Sequence, residues 1–396
     1  MTRFDVAIAG AGPAGALTAL LLARRGLSVA LLDRSHFPRA KTCAEYLSPG
    51  VADVLSGVGL APVLDGAHRF PGMDIIAPQA ALYRVRYAVE GHGRPAMSLP
   101  RRILDARLVA AACGAGATLM EGAVVREPLY RDGRVVGVAG SRGGDDVTIE
   151  AALTVVADGA RSVMTRRLGL ARPPRWPRRL GLVAYHEGTV PSGAGQMIVF
   201  PGGYCGVAPL PDGLLNVAAV VPADSMRRRG LSAQALLDAT IASVPALREL
   251  LAGTRRVGNV RGLVPLGSRA SRHSVAGALL VGDAAGFFDP FTGEGIYRAL
   301  RGAELAADAA VAALERGDLS ESQLGAYDRM RREAFRQKEV VTMLVQLFIR
   351  FPSLLAYALP RLSTRPSGEI LSNVLGDVVP AHEFLALVPL WQALRP

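Results

Sequence analysis

The chain has 396 residues, half of them hydrophobic, and a formal charge of +11. That length holds two domains or one elaborate α/β domain with an insertion, and the frequent but aperiodic glycine and proline exclude a collagen-like or low-complexity chain. Nearly all the basic residues are arginine, with Lys41 and Lys338 the exceptions, a bias that reads first as genome composition and second as attraction to an anionic surface or acidic ligand.

In chain order, residues 4–9 (FDVAIA) predict a short buried strand. Gly10, Gly12 and Gly15 follow, then a run at helical period ending at Gly26, then a second strand, SVALLD. This strand–glycine loop–helix–strand order opens a doubly wound sheet. Residues 35–50 read as polar loop, and 73–89 as β-like. Residues 101–113 predict a helix, followed by strands near 117–125 and 134–139 joined by RDG, a hairpin signal. A buried strand at 151–157 ends at Asp158-Gly159. The arginine- and proline-rich stretch 166–179 is the best candidate for a domain crossing. Residues 181–221 continue the β-like pattern as an antiparallel sheet, 232–252 read as helix, and a strand at 278–281 returns to the first sheet. From 296 onward the pattern is almost all helical.

Cys43, Cys113 and Cys205 stand far apart with no CxxC. That argues against a disulfide framework and for a reduced, cytoplasmic setting. No apolar run reaches the ~18 residues of a membrane span. The stretch 166–179 lacks stacking aromatics apart from Trp176, so no nucleic-acid partner is expected. The apolar C-terminal helices, with arginines nearby, read either as a cap on a cavity or as a peripheral membrane contact.

Two motifs carry chemistry. GAGPAG fits GxGxxG, follows a strand, opens a helix, and is followed by Asp33 at the end of the next strand. Gly10 permits the tight turn, Gly12 lets backbone approach a pyrophosphate, and Gly15 allows close helix–strand packing. The helix N-terminus offers free N–H groups to phosphates. Asp33 would accept hydrogen bonds from a ribose. The second motif, GDAAGFFDPFTGEG at 282–295, holds Asp283, Asp289 and Glu294. Asp283 and Glu294 occupy the end positions of a calcium-type loop, but Ala285, Phe287 and Phe288 stand where ligands and the turn glycine belong. A hard cation needs oxygens there, so no metal is expected.

GAGPAG, ADGARSVMTRRLG and GDAAGFFDPFTGEGI together resemble the FAD-binding domain of para-hydroxybenzoate hydroxylase-like flavoproteins. FPRAKTCAEYLSPG and PFTGEGI are most similar to the geranylgeranyl reductase branch. The resemblance implies an α/β (α+β) fold: a Rossmann-like FAD-binding domain from 1–70, 100–170 and 270–325, an antiparallel substrate sheet from 71–99 and 171–269, and a helical segment at 326–396. It implies a cofactor site of Gly10, Gly12, Pro13, Ala14, Gly15, Asp33 and Arg34, with Arg102 near the cofactor and Val125 against adenine. Asp158-Gly159 would contact both FAD and a transiently bound NAD(P)H. Gly282-Asp283 would face the ribityl chain and pyrophosphate, and Pro290, Gly293, Gly295 and Ile296 the flavin ring.

The branch carries K-x-C-G-G where this chain has KTCAE. Cys43 is therefore the candidate catalytic residue, its alternative a small apolar filler. Glu45 reads as a general acid or as a surface loop charge, the second favoured. Phe200, Tyr204 and Phe288 are the candidate substrate contacts. The expected function is an FAD-dependent reductase acting with NAD(P)H on a hydrophobic isoprenoid- or polyketide-like molecule. The alternative is an FAD monooxygenase that hydroxylates or epoxidises an aromatic or polyketide.

Overall fold

The computed structural model describes residues 2–173 and 178–386. Trp176 and the end of the last apolar run lie outside the described residues, as does the middle of the expected domain crossing.

Among the described residues, the first sheet has eight strands. Its parallel part runs Thr118–Glu121, Val29–Asp33, Thr2–Ala9, Asp145–Val156, with Ala278–Leu280 added in parallel beside the last. The strands Val29–Asp33 and Ala278–Leu280 are short and buried throughout, as parallel strands are when helices cover both faces. The helix Pro13–Ala23 follows the first strand, and ten of its eleven residues are buried. Its uniformly apolar composition has this cause: it lies between the sheet and the helix Gly295–Glu315. That second helix presents Ala299, Ala303, Ala306 and Ala310, all buried, and small side chains allow the close approach. The hairpin expected at RDG forms between Ala123–Arg131 and Arg134–Arg142. Asp132 and Gly133 both take positive φ there, the requirement of a tight two-residue hairpin turn.

A second sheet has seven strands in the order Arg255–Leu266, Arg179–Glu187, Leu214–Pro222, Gly203–Pro209, Gly195–Phe200, Gly72–Ile76, Leu82–Arg86. It is antiparallel apart from the parallel pairing of Gly195–Phe200 with Gly72–Ile76. One face is covered by the helices Ala233–Ser243 and Pro245–Leu250, a pair where one helix was expected, because Pro245 starts a new one. The other face meets the C-terminal helices Glu321–Arg350, Pro352–Ser363 and Pro366–Leu375. The bend between the first two is 120°, and no single helix among the described residues is long and apolar enough to cross a membrane. The 282–295 stretch runs between the two sheets.

Candidate functional site

The glycine loop has the shape its sequence predicts. Gly10 has φ 103°, and a Cβ there would sit 2.4 Å from the Ala157 carbonyl oxygen. A Cβ on Gly15 would lie 1.8 Å from the Gly10 carbonyl oxygen. Gly12 differs. A Cβ there would meet only Arg39 Nη2 at 3.7 Å and Arg101 Nη2 at 4.0 Å. The loop thus opens onto a space at Gly12 that two guanidinium groups flank, beside the N-terminus of the Pro13–Ala23 helix. Ala14 is buried behind it. A cradle with no side chain in it, faced by backbone N–H groups and fixed cations, fits a pyrophosphate. Asp33 is buried and braces the loop: Ala11 N–H donates to Oδ2 and Ser35 N–H to Oδ1, both at 2.9 Å. Arg34 is exposed beside it.

The buried arginine at the cradle is Arg101; Arg102 lies exposed on the other side of the same helix. Arg101 makes a bidentate pair with Asp105, Nε–Oδ1 2.7 Å and Nη2–Oδ2 2.8 Å, and Arg39 Nη1 lies 2.9 Å from Asp105 Oδ2. The sequence-based choice of Arg102 falls one residue from the side chain whose direction suits the cradle, because adjacent helical residues point about 100° apart. Val125 is half-buried on the sheet edge.

Asp158 caps the short helix Val163–Arg167, its Oδ2 accepting from Val163 N at 2.8 Å and Met164 N at 3.2 Å. Its Oδ1 is buried with no partner, and burial raises its carboxyl above the usual range. Lys41 Nζ approaches to 3.7 Å of the point where a Gly159 Cβ would stand. Asp283 is likewise raised by desolvation, against the opposing charges of Lys41, Arg101 and Arg298. Gly282, at φ 56°, has no room for a side chain: a Cβ there would stand 2.9 Å from Ala14 Cβ. The Gly282–Asp283 turn, the glycine loop and Asp158-Gly159 therefore converge on one place.

Glu45 is the largest departure from expectation. It is 2% exposed, a correction to its reading as a surface charge. Its backbone is left-handed, φ 58°, which a glycine adopts freely and a glutamate does not; this is the position where the reductase pattern has glycine. The carboxylate is held by Arg101 N–H at 2.9 Å, Tyr185 Oη–H at 2.9 Å and Asn216 Nδ2 at 3.4 Å. Desolvation raises its pKa, with those donors opposing. Cys43 is half-buried, accepts the Glu45 N–H at 3.3 Å, and has its thiol pushed up by burial against the opposing Arg101 charge. A thiol held protonated is a weak nucleophile.

The three acids of the 282–295 stretch go to separate tasks. Asp289 is buried and accepts from Tyr204 Oη at 2.5 Å, Phe291 N at 3.0 Å and Gln346 Nε2 at 2.8 Å, with Arg179 Nη1 at 3.7 Å. Glu294 is buried beside Lys338 Nζ (3.9 Å) and Arg298 Nη1 (3.6 Å), and Lys338 bridges on to Asp377 at 2.9 Å. Asp283 alone stays at the cradle. Gly295 opens the long helix, with Ile296 buried behind it.

A partly open cavity lies beside this turn. Pro290 to Gly293 form one side; Met73, Ile75, Val85, Met197, Val207 and Leu375 form apolar walls. Tyr46 and Tyr87 line it too. None of Phe200, Tyr204 and Phe288 lines it. Tyr204 is 2% exposed and serves as a strut, bonded to Asp289 and edge-on to Phe291 with centroids 5.0 Å apart. Phe200 lies against Gly203, and Phe288 is half-buried outside the cavity. Beyond the 290–293 turn, whose Pro290 and Gly293 the motif marks, the lining comes from seven other segments with no shared motif, which a sequence reading does not bring together. Lys338 had a signal, being one of two lysines in the chain.

The family model described as "FAD binding domain" matches residues 3–342. Digeranylgeranylglycerophospholipid reductase 1 of Methanopyrus kandleri is 35% identical, over 88% of this chain and 92% of that protein. Menaquinone reductase of Mycolicibacterium smegmatis is 32% identical, over 78% of this chain and 76% of that protein. The crystal structure of a geranylgeranyl bacteriochlorophyll reductase-like protein of Thermoplasma acidophilum superposes with a TM-score of 0.82 at 22% identity and covers both chains fully, a likeness of fold.

Proposed function

The chain belongs to the FAD-binding-domain family of oxidoreductases, and from that premise we propose that it is a geranylgeranyl reductase-type enzyme reducing a hydrophobic isoprenoid- or polyketide-like substrate with electrons from NAD(P)H. The observation that carries this reading is the apolar cavity whose one side is the Pro290–Gly293 turn, the segment that leads into the helix N-terminus at Gly295. FAD, when bound, supplies hydride chemistry; everything else is the work of the chain.

The Gly12 cradle with Arg39 and Arg101 would hold the pyrophosphate, and Asp283 and the buried, unpartnered Oδ1 of Asp158 would accept hydrogen bonds from the ribityl and nicotinamide-facing side. The N-terminus of the Gly295–Glu315 helix favours negative charge near the ring. Walls such as Ile75, Val85 and Leu375 exclude water and orient an apolar chain. Glu45, whose carboxyl burial raises above the usual range, would be a proton donor or acceptor beside Cys43. NAD(P)H has no second glycine-motif domain here, in keeping with transient docking. The exposed apolar residues Leu347, Phe351, Leu354 and Tyr357 cluster at the helix bend, where a substrate held in a membrane would approach; Arg350 and Arg361 stack on Phe351 and Tyr357.

The test is the mass of the product. FAD-loaded protein given NADH or NADPH and digeranylgeranylglycerophospholipid vesicles should yield a lipid that has gained hydrogen only, with oxygen excluded. A product that forms only in air and carries oxygen from O2 makes the enzyme a monooxygenase and overturns the proposal.

A further inference from the structure

The polar atoms of the cavity leave a hydrogen-bonding remainder. Tyr46 Oη and Tyr87 Oη lie 2.6 Å apart. Each phenol carries one hydrogen. Their mutual bond uses one of the two, and among the described residues no acceptor takes the other. Both tyrosines line the cavity. Two further lining residues have an orphaned polar atom: Thr292 Oγ1 and Asn216 Oδ1 are buried without partners. Buried polar groups without partners are rare in folded proteins, and these two belong to residues lining one otherwise apolar cavity.

The two phenols are also fixed in place. A Cβ on Gly293 would stand 2.5 Å from the Tyr46 ring, and one on Gly376 would stand 2.5 Å from the Tyr87 ring. Each ring therefore packs against a bare glycine backbone that limits its movement that way. Burial raises both phenols above the ordinary tyrosine value, so the pair keeps both protons at any working pH.

We propose that the Tyr46–Tyr87 pair donates its free hydroxyl hydrogen to an oxygen atom of the substrate, so that the cavity takes an apolar molecule bearing a carbonyl-type oxygen, an enone or quinone, in preference to a bare hydrocarbon. The proposal rests on the reading of this cavity as the substrate site, and it narrows the substrate class within that reading. The oxygen sits at the tyrosine end of the cavity, between the Gly293 turn and the segment around Gly376.

The experiment compares two probes that differ by one carbonyl oxygen on FAD-loaded protein by calorimetry: acetylnaphthalene, which has it, and the correspondingly substituted ethylnaphthalene, which lacks it. Wild type should bind the ketone about tenfold more tightly, the worth of one good buried hydrogen bond. The double variant Y46F/Y87F removes only two oxygen atoms. It should lose that preference, with ethylnaphthalene affinity unchanged. Equal affinities for the two probes in wild type overturn the proposal, as does a double variant that keeps the preference. If the double variant melts early, the wild-type ratio decides alone. Flavin absorbance of the same samples reports FAD loading, and no turnover is required. A failed reductase assay and a failed probe ratio are therefore separate results.

Discussion

Replacing Gly15 by alanine puts a Cβ 1.8 Å from the Gly10 carbonyl oxygen and 3.1 Å from Ala157 Cβ. The obstructing atom is backbone, so no rotamer relieves it, and the helix Pro13–Ala23 must shift by ~1 Å from the strand it packs on, a cost of ~3 kcal/mol or more by the measure of overpacked cores. Gly12 behaves oppositely. Its φ of −74° and ψ of −175° are open to any residue, and its Cβ makes only ordinary contacts, with the ends of Arg39 and Arg101. G12A should therefore change the stability of the FAD-free protein by less than ~0.5 kcal/mol. Its methyl would occupy the space left for the pyrophosphate. Loss of one charge-assisted hydrogen bond there, ~1.5–3 kcal/mol, lowers FAD affinity ~10–100-fold. The assay is a pair of measurements on each variant: urea unfolding of the apoprotein, and titration with FAD followed by flavin fluorescence. G15A should fail the first, G12A only the second. A G12A protein that binds FAD with wild-type affinity refutes the assignment of the cradle.

Three other outcomes follow from buried groups. Burial raises the Glu45 carboxyl above its unfolded value. Its contribution to stability is therefore complete at acid pH and is lost as pH rises through the folded-state pKa. E45Q does not titrate, so urea midpoints of E45Q should gain on wild type between acid and neutral pH; a constant difference would contradict the assignment. K338M leaves Glu294 and Asp377 facing each other without their shared cation. Breaking such a buried set costs ~3–5 kcal/mol, seen as a lowered unfolding midpoint, and a change under ~1 kcal/mol argues against a buried triad. Y204F removes the hydroxyl that Asp289 accepts. It should lower stability by ~1–3 kcal/mol while leaving probe binding in the cavity unchanged, since Tyr204 does not line it; altered probe affinity restores Tyr204 as a substrate contact.

The parts of this site that were legible in the sequence are those where backbone geometry demands a residue type. Gly10, Gly15 and Gly293 have no room for a Cβ or need positive φ, and such positions show as glycine motifs at fixed spacing. Asp283 was legible for the same reason, being tied to its glycine. Roles set by side-chain direction were not. Arg101 and Arg102 are chemically identical in sequence, and only the helix phase separates the buried one from the exposed one. Glu45 looked like surface because a charged residue in a polar loop ordinarily is. The clue lay in what it replaces: a glycine position keeps its left-handed backbone when a glutamate takes it. Tyr204 looked like a substrate contact because its strand belongs to the right sheet. It shares the sheet face of Gly206 and Ala208, which line the cavity, but its ring packs on Phe291 and its hydroxyl is bonded to Asp289. The Tyr46–Tyr87 pair joins residues 41 apart, a distance no local pattern records.

The central claim, reduction of an apolar lipid at this cavity, is tested most directly by watching the flavin itself. FAD-loaded protein is reduced and mixed under argon with vesicles of digeranylgeranylglycerophospholipid, and the flavin absorbance is followed in time. The account predicts that the oxidised flavin spectrum returns at a rate that grows with lipid concentration. A flavin that stays reduced at every lipid concentration, and reoxidises only when oxygen is admitted, would contradict it.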